Sequence, residues 1–321
     1  MRGTTDETMA RRAVIDVGTN SVKVLVADVD AGVVMPVWET SEQTRLGRGF
    51  YETHRLQAEP IALTAAAVAR FAGGARERGA VSVRAVATSA ARDADNRDEL
   101  LGAIQEASGL VTEVISGEVE AEWGFRGVMT DPGYAGRPVL IIDVGGGSTE
   151  FILGVGGRLV FRESFKLGSV RLHERFPPSD PPEADALPKL RAWLDGFLAE
   201  AVLPGLRKAM QETSRPDRVV GVGGTTAILA LMEAGTGTFD RALVESAEFG
   251  RDRLSVVLEA LWSEPLAVRR TRPGLPPERA DVILFGVAIY DAVLRVFGFG
   301  SLGVSTRGLR FAAMLGEGFD A

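Results

Sequence analysis

The segment Ile15-Asp16-Val17-Gly18-Thr19-Asn20-Ser21 returns 127 positions later as Ile142-Asp143-Val144-Gly145-Gly146-Gly147-Ser148. In both copies aliphatic residues lead into an acid, a glycine and a serine. One Asp-x-Gly is common and constrains little. Two aligned copies imply a duplication in which each half presents the same strand, tight turn, strand unit. Successive amides converging in such a turn make a concave anion site, and two such turns facing one another would line a cleft.

The pattern around the turns supports this. Ala13 to Asp28 reads as two strands through Gly18-Thr19-Asn20, with Val33 to Thr40 as a third. A helix follows over Ala58 to Gly79, a strand over Val81 to Thr88, a helix over Asp98 to Ser108, a strand over Val111 to Ile115, and a helix from Ser116-Gly117 to about Met129. The second half restarts with strands Val139 to Asp143, Glu150 to Val155 and Leu159 to Phe165. Helix covers Glu183 to Glu212 with a break near Pro204-Gly205, and strand Arg218 to Val222 runs through Gly223-Gly224-Thr225 into another helix. A long apolar helix over Pro277 to Phe297, a strand over Leu302 to Ser305 and a terminal helix complete it. The fold class is α/β with duplicated topology.

A chain of 321 residues exceeds what one core usually supports, so two domains of about 100 to 200 residues are expected. They are residues 10–130 and 131–321, divided at the turn-rich Asp131-Pro132-Gly133 and Gly136, with the last helix able to pack back on the first domain. Net charge is −7 and the isoelectric point near 5.2, which gives no global attraction for a nucleic-acid duplex or an anionic membrane. The absence of cysteine excludes disulfides, zinc thiolates and cysteine nucleophiles. His54 and His173 are too far apart in sequence for a local His-x-x-x-His site. Met1 to Arg12 lacks an apolar signal core, and no run approaches the ~20 apolar residues of a membrane helix. A soluble cytoplasmic enzyme is expected.

The second turn carries the sharper chemistry. Gly145, Gly146 and Gly147 cost backbone entropy between apolar strands, which is explained if phosphate oxygens approach the main chain. Asp143 and Glu150 bracket them, and two carboxylates beside a phosphate suit Mg²⁺, with Mn²⁺ as the alternative, or the positioning of water. In the first turn the amides of Thr19, Asn20 and Ser21 and two hydroxyls could converge on one anion, although the same residues suit an ordinary hairpin. Gly223, Gly224 and Thr225 offer further amides at a helix N-terminus, or simply a tight strand-to-helix turn.

Three acids open the helix after Ser116. Glu118 and Glu122 share one face, whereas Glu120 lies roughly 160 to 200° away beside Gly124 and Gly127, where missing side chains invite a ligand or another surface. Lys23, Arg92 and Arg279 are the candidate cations, and Arg269, Arg270 and Arg272 form a separate cluster that suits a solvated face or a docking strip for polyanions.

Together these residues resemble the exopolyphosphatase and guanosine pentaphosphate phosphohydrolase family, within the actin, hexokinase and Hsp70 superfamily. The resemblance rests on both turns, Ala87-Thr88-Ser89-Ala90-Ala91-Arg92, Ile115-Ser116-Gly117 with Glu120-Ala121, Gly221-Val222-Gly223-Gly224-Thr225 and Arg279-Ala280-Asp281-Val282-Ile283. It implies two actin-like domains with an interdomain active-site cleft. It further implies Glu120 as the general base that activates water, Asp143 and Glu150 as holders of Mg²⁺ and water, and Asp16 to Ser21 with Gly145 to Ser148 as phosphate cradles. Lys23, Arg92 and Arg279 would neutralise charge, and a homodimer is implied. The expected substrate is inorganic polyphosphate, with guanosine pentaphosphate second. An ATP-dependent kinase or actin-like ATPase, and a weakly catalytic alarmone sensor, are the alternatives.

The chain departs from the family pattern in places. Val119 replaces one of two adjacent acids, Lys23 replaces an arginine with loss of bidentate geometry, and Phe311-Ala312 stand where Glu-Gly is usual. The extra helical C-terminal domain of longer members is not expected here, and without it fewer contacts for processive action on long chains are expected.

Overall fold

The computed structural model describes residues 9–216 and 218–316. The chain forms two compact units, Met1–Ser116 with Leu309–Ala321, and Gly117–Gly308. The first is built on a five-stranded sheet of β1 (Ala10–Val17), β2 (Ser21–Asp30), β3 (Val33–Gln43), β4 (Ser82–Ala87) and β5 (Thr112–Val114), ordered β3-β2-β1-β4-β5. β1, β2 and β3 pair antiparallel, while β4 and β5 join in parallel. Ala13, Val14 and Ile15 on β1 and Val24, Leu25 and Val26 on β2 are all buried, as expected of strands covered on both faces. Helix Ala58–Glu77 buries Ile61, Ala65, Val68, Phe71, Ala72 and Ala75, a stripe spaced by three and four residues. Helix Leu309–Leu315 packs against β1 and β2.

The second unit repeats the plan. Its sheet comprises β6 (Val139–Val144), β7 (Thr149–Val155), β8 (Arg158–Phe165), β9 (Arg218–Val222), β10 (Glu248–Gly250) and β11 (Ser301–Ser305), ordered β10-β11-β9-β6-β7-β8. Read from β8 to β11, the order matches β3 to β5, with β10 added at the edge. The core is dominated by helix Ile283–Phe297, thirteen of whose fifteen residues are buried.

Three local features differ from the sequence expectation. Helix Gly117–Val128 belongs to the second unit, because its Phe125 ring fills the space over Gly154 and its Gly127 lies directly on the Gly308 carbonyl. The division therefore falls at Ser116-Gly117, ahead of the Asp131 to Gly136 turns. The break expected near Pro204 is a π-helical stretch, Leu198–Val202, just before it. Pro204 has no N–H for the Glu200 carbonyl, so the ladder widens there. The apolar helix starts at Ile283 rather than Pro277, and Arg279 sits in a preceding 3-10 turn, Pro277–Arg279, closed by its N–H on the Pro276 carbonyl at 2.9 Å.

Candidate active site

The two turns are built alike. In the first, the Gly18 N–H bonds the Ser21 carbonyl at 3.0 Å, and in the second the Gly145 N–H bonds the Ser148 carbonyl at 2.9 Å. A Cβ on either glycine would lie 3.1 or 3.0 Å from that same carbonyl. Each turn is gripped from outside by another segment. The Thr19 and Asn20 carbonyls accept from the N–H groups of Gly47 at 2.7 Å and Arg45 at 3.0 Å. The Gly145 carbonyl accepts from Ser169 at 3.0 Å, and that of Gly146 from Val170 and Arg171 at 2.9 and 3.1 Å. In a planar trans peptide the C=O of one residue and the N–H of the next point in opposite directions. The grip on the carbonyls thus turns the N–H groups of Asn20, Ser21, Gly146 and Gly147 the other way.

Beside the second turn stand three acids. Asp143 and Glu150 are direct partners across β6 and β7. Glu150 is only 2 % exposed, and its Oε1 accepts from the Ser164 hydroxyl at 2.7 Å, Ser164 being its partner on β8. Burial, followed by the charges of Glu120 and Asp143, holds the Glu150 carboxyl well above the usual range, and the Ser164 and Ser148 hydroxyls only partly offset this. On helix Gly117–Val128, Glu122 bonds Arg162 at 3.1 Å and Arg126 at 2.7 Å, and Glu118 lies 3.7 Å from Arg162. Glu120 is the acid of the three whose charge acts on Glu150.

The turn after β9 lies beside the second turn in the same unit. Gly223 has φ +101°, and a Cβ there would lie 2.9 Å from Asp143 Oδ1, so only glycine fits beside that carboxylate. A Cβ on Gly224 would lie 3.1 Å from Arg279 Nη2, which puts the buried guanidinium on the same turn. Thr225 is buried, with its side chain against Gly286. Tyr290, from the apolar helix, directs its hydroxyl at the carbonyls of Ile142 at 3.1 Å and Val222 at 2.7 Å, one residue before Asp143 and before Gly223. Burial and then the nearby Asp143 push the Tyr290 phenol well above its ordinary value.

In the first unit Asp16 faces Lys23 across β1 and β2. Burial raises the Asp16 carboxyl, with Lys23 and Arg310 pulling the other way. Asn20 spends its side-chain amide on Gln43 at 2.9 Å, and Arg92, on the short helix Ser89–Asp93, gives one N–H to the Ile115 carbonyl at 3.2 Å. Of the residues singled out in the sequence, Glu120, Asp143, Gly145 to Ser148, Glu150, Gly223 to Thr225 and Arg279 lie in the second unit. Asp16 to Ser21, Lys23 and Arg92 lie in the first.

The Ppx/GppA phosphatase family model matches residues 25–317. The chain belongs to the Ppx/GppA phosphatase family. It is an enzyme of that phosphatase class. Exopolyphosphatase 2 of Mycobacterium tuberculosis is 36 % identical over 298 residues, covering 89 % of this chain and 91 % of that protein. The Aquifex aeolicus Ppx/GppA family member superposes with a TM-score of 0.77 at 30 % identity, covering 96 % of this chain and 97 % of its own. An exopolyphosphatase from Cytophaga hutchinsonii gives 0.84 at 27 % identity over 95 % and 96 %. These matches and the repeated sheet order establish the actin-like two-domain fold that the sequence resemblance implied. Among the described residues no helix is long and apolar enough to cross a membrane.

Sequence reasoning missed Ser164, Arg171 and Tyr290 around the second turn and, in the other unit of this Ppx/GppA family member, Arg310 near Asp16. Ser164 had a faint signal, since strand alternation on β8 sets it opposite Glu150. Arg171 and Tyr290 had none, because their partners are main-chain carbonyls brought near only by folding. The arginine cluster is corrected in part: Arg270 is exposed, as expected of a solvated face, but the other two are not. Arg269 is 2 % exposed and donates to the carbonyls of Leu261 at 3.2 Å and Ala280 at 3.1 Å, and Arg272 is held by both Glu264 oxygens at 2.6 Å. Neither is a solvated or docking charge.

Proposed function

We propose that this enzyme hydrolyses the terminal phosphoanhydride bond of inorganic polyphosphate, and guanosine pentaphosphate as a second substrate, with Mg²⁺ or Mn²⁺. The observation that carries the reading is the buried Glu150, crowded by Glu120 and Asp143 beside a glycine turn whose amides are turned away from their clamp. Three neighbouring carboxylates repel one another, and a phosphate chain would add more negative charge. A divalent cation resolves both. Among the described residues no three His, Asp or Glu side chains form a metal cage, but Mg²⁺ is commonly held by one or two carboxylates together with substrate phosphates. Asp143 and Glu150 fit that smaller share. The cation would supply charge neutralisation at the transferring phosphoryl group.

The remaining work falls to the chain's own groups. Glu120, on its helix face away from the Arg162 pairs, takes the proton of the attacking water. The amides of Gly146 to Ser148 and of Thr19 to Ser21 bind phosphate oxygens, and Lys23, Arg92 and Arg279 offset their charge. Phosphoryl transfer passes through a loose transition state, so such positioning and charge stabilisation suffice. The relatives named exopolyphosphatase favour polyphosphate as the first substrate.

Phosphate release compared across long-chain polyphosphate, guanosine pentaphosphate and ATP, with Mg²⁺ and with excess chelator, tests this. Polyphosphate should be cleaved fastest, and only with metal. ATP as the best substrate, or full activity in chelator, overturns it.

A further inference from the structure

The second turn is held differently from the first at one carbonyl. Gly147 is the counterpart of Asn20 at the 127-residue offset. The Asn20 carbonyl is held by a main-chain donor, the Arg45 N–H at 3.0 Å. The Gly147 carbonyl is held instead by a side chain, Arg171 Nε, at 2.9 Å. Arg171 is also fixed through its own backbone, whose N–H bonds the Gly146 carbonyl at 3.1 Å. Its Cα and its guanidinium are thus tied to successive peptides of one turn.

We infer that Arg171 is a positioning residue for the phosphate cradle: its Nε–H holds the Gly147 carbonyl and thereby aims the Ser148 N–H. The geometry is that of a trans peptide, in which fixing the C=O of Gly147 fixes the N–H of Ser148 antiparallel to it. The neighbouring Gly147 N–H is aimed through the Gly146 carbonyl, which accepts from the main-chain N–H groups of Val170 and Arg171. The Gly147–Ser148 peptide, by contrast, follows a glycine with a wide range of backbone conformations, and the Arg171 Nε–H is what holds its carbonyl. Arg171 therefore controls one amide of the cradle and leaves its neighbour to the backbone. Gly168 completes the clamp, since its α-carbon packs so closely on the Gly146 carbonyl that no Cβ fits.

The inference rests on the phosphate-binding reading of this turn, and the experiment separates the two. Inorganic phosphate is titrated into the full chain while the Gly147 and Ser148 amides are followed by ¹⁵N–¹H NMR, for wild type, Arg171→Met and Arg171→Lys. Both amides should shift in wild type. In Arg171→Met the Ser148 response should fall at least about fivefold while the Gly147 response stays, which also shows that the variant is folded. Arg171→Lys keeps the charge without a planar donor at Nε, and should recover less than half of the Ser148 response. In polyphosphate assays Arg171→Met should raise KM about tenfold with kcat within about threefold.

A Ser148 response that survives in Arg171→Met overturns the inference, as does full recovery by lysine, which would reduce Arg171 to a charge. Loss of both responses in Arg171→Met and Arg171→Lys alike makes the residue merely structural and also overturns it. A wild-type turn that ignores phosphate removes the cradle itself. Failure of the substrate reading looks different: polyphosphate is not cleaved while the two amides still respond to phosphate.

Discussion

Glu150 faces Asp143 across β7 and β6 at the register where, in the other unit, Lys23 faces Asp16. Acid opposite base stabilises a strand pair, and acid opposite acid destabilises it. With Glu150 2 % exposed, the cost is larger than on a surface. Glu150→Gln should therefore raise the Tm of the metal-free protein, by ~2–4 °C for each kcal/mol relieved, while polyphosphate turnover falls. Calorimetry in chelator checks the first half, and a lower Tm in the variant contradicts it.

Glu120 is the acid of its helix that acts on the buried Glu150, whereas Glu118 and Glu122 are engaged with Arg162. Glu120→Gln is expected to slow phosphate release by at least ~10²-fold with substrate affinity preserved, as for loss of a general base. Turnover near wild type in that variant removes Glu120 from the mechanism.

Gly223 combines φ +101° with a space closed by Asp143 Oδ1 at 2.9 Å and the Val144 carbonyl at 3.2 Å. Gly223→Ala meets both obstacles. It should cost about 1–3 kcal/mol from backbone conformation alone and displace the Asp143 carboxylate. Denaturant unfolding measures the first effect and metal titration of the folded variant the second. An alanine variant as stable as wild type is incompatible with this conformation.

Glu245 gives the pH dependence. Burial raises its carboxyl, but the Thr306 hydroxyl and Arg307 outweigh burial and hold it below the ordinary value of 4.5. Arg307 Nε lies 3.3 Å from Glu245 Oε1, and its Nη1 3.2 Å from the Thr130 carbonyl. A depressed carboxyl contributes stability that is present above its unfolded pKa and lost as pH falls through the folded one. The Tm advantage of wild type over Glu245→Gln should thus be full at neutral pH and shrink below about pH 4.5. An advantage that grows on acidification contradicts the assignment.

How much was legible in the sequence depended on whether a feature is local. The turn pair, the β6 and β7 hairpin and the split of Glu120 from Glu118 and Glu122 follow from period and spacing, which one segment carries within itself. Arg279 reads as helical because the segment from Pro277 to Phe297 is mostly apolar, yet the chain takes a 3-10 turn first. Arg269 reads as surface beside the exposed Arg270 because charge alone says nothing of nearby carbonyls, and Arg269 is buried on three of them. Arg171 and Tyr290 act on main-chain oxygens far away in sequence, a relation no pattern of side chains encodes.

The first unit is drawn from two stretches with the whole of Gly117–Gly308 between them. Its helix Leu309–Leu315 carries Arg310, which bonds the Val24 carbonyl at 2.9 Å. On the ribosome, β1 and β2 emerge early but wait for that helix, while the second unit, one continuous stretch, has all its parts sooner. Domains generally fold in the order of their synthesis. Here the unit that begins first is the one that finishes last.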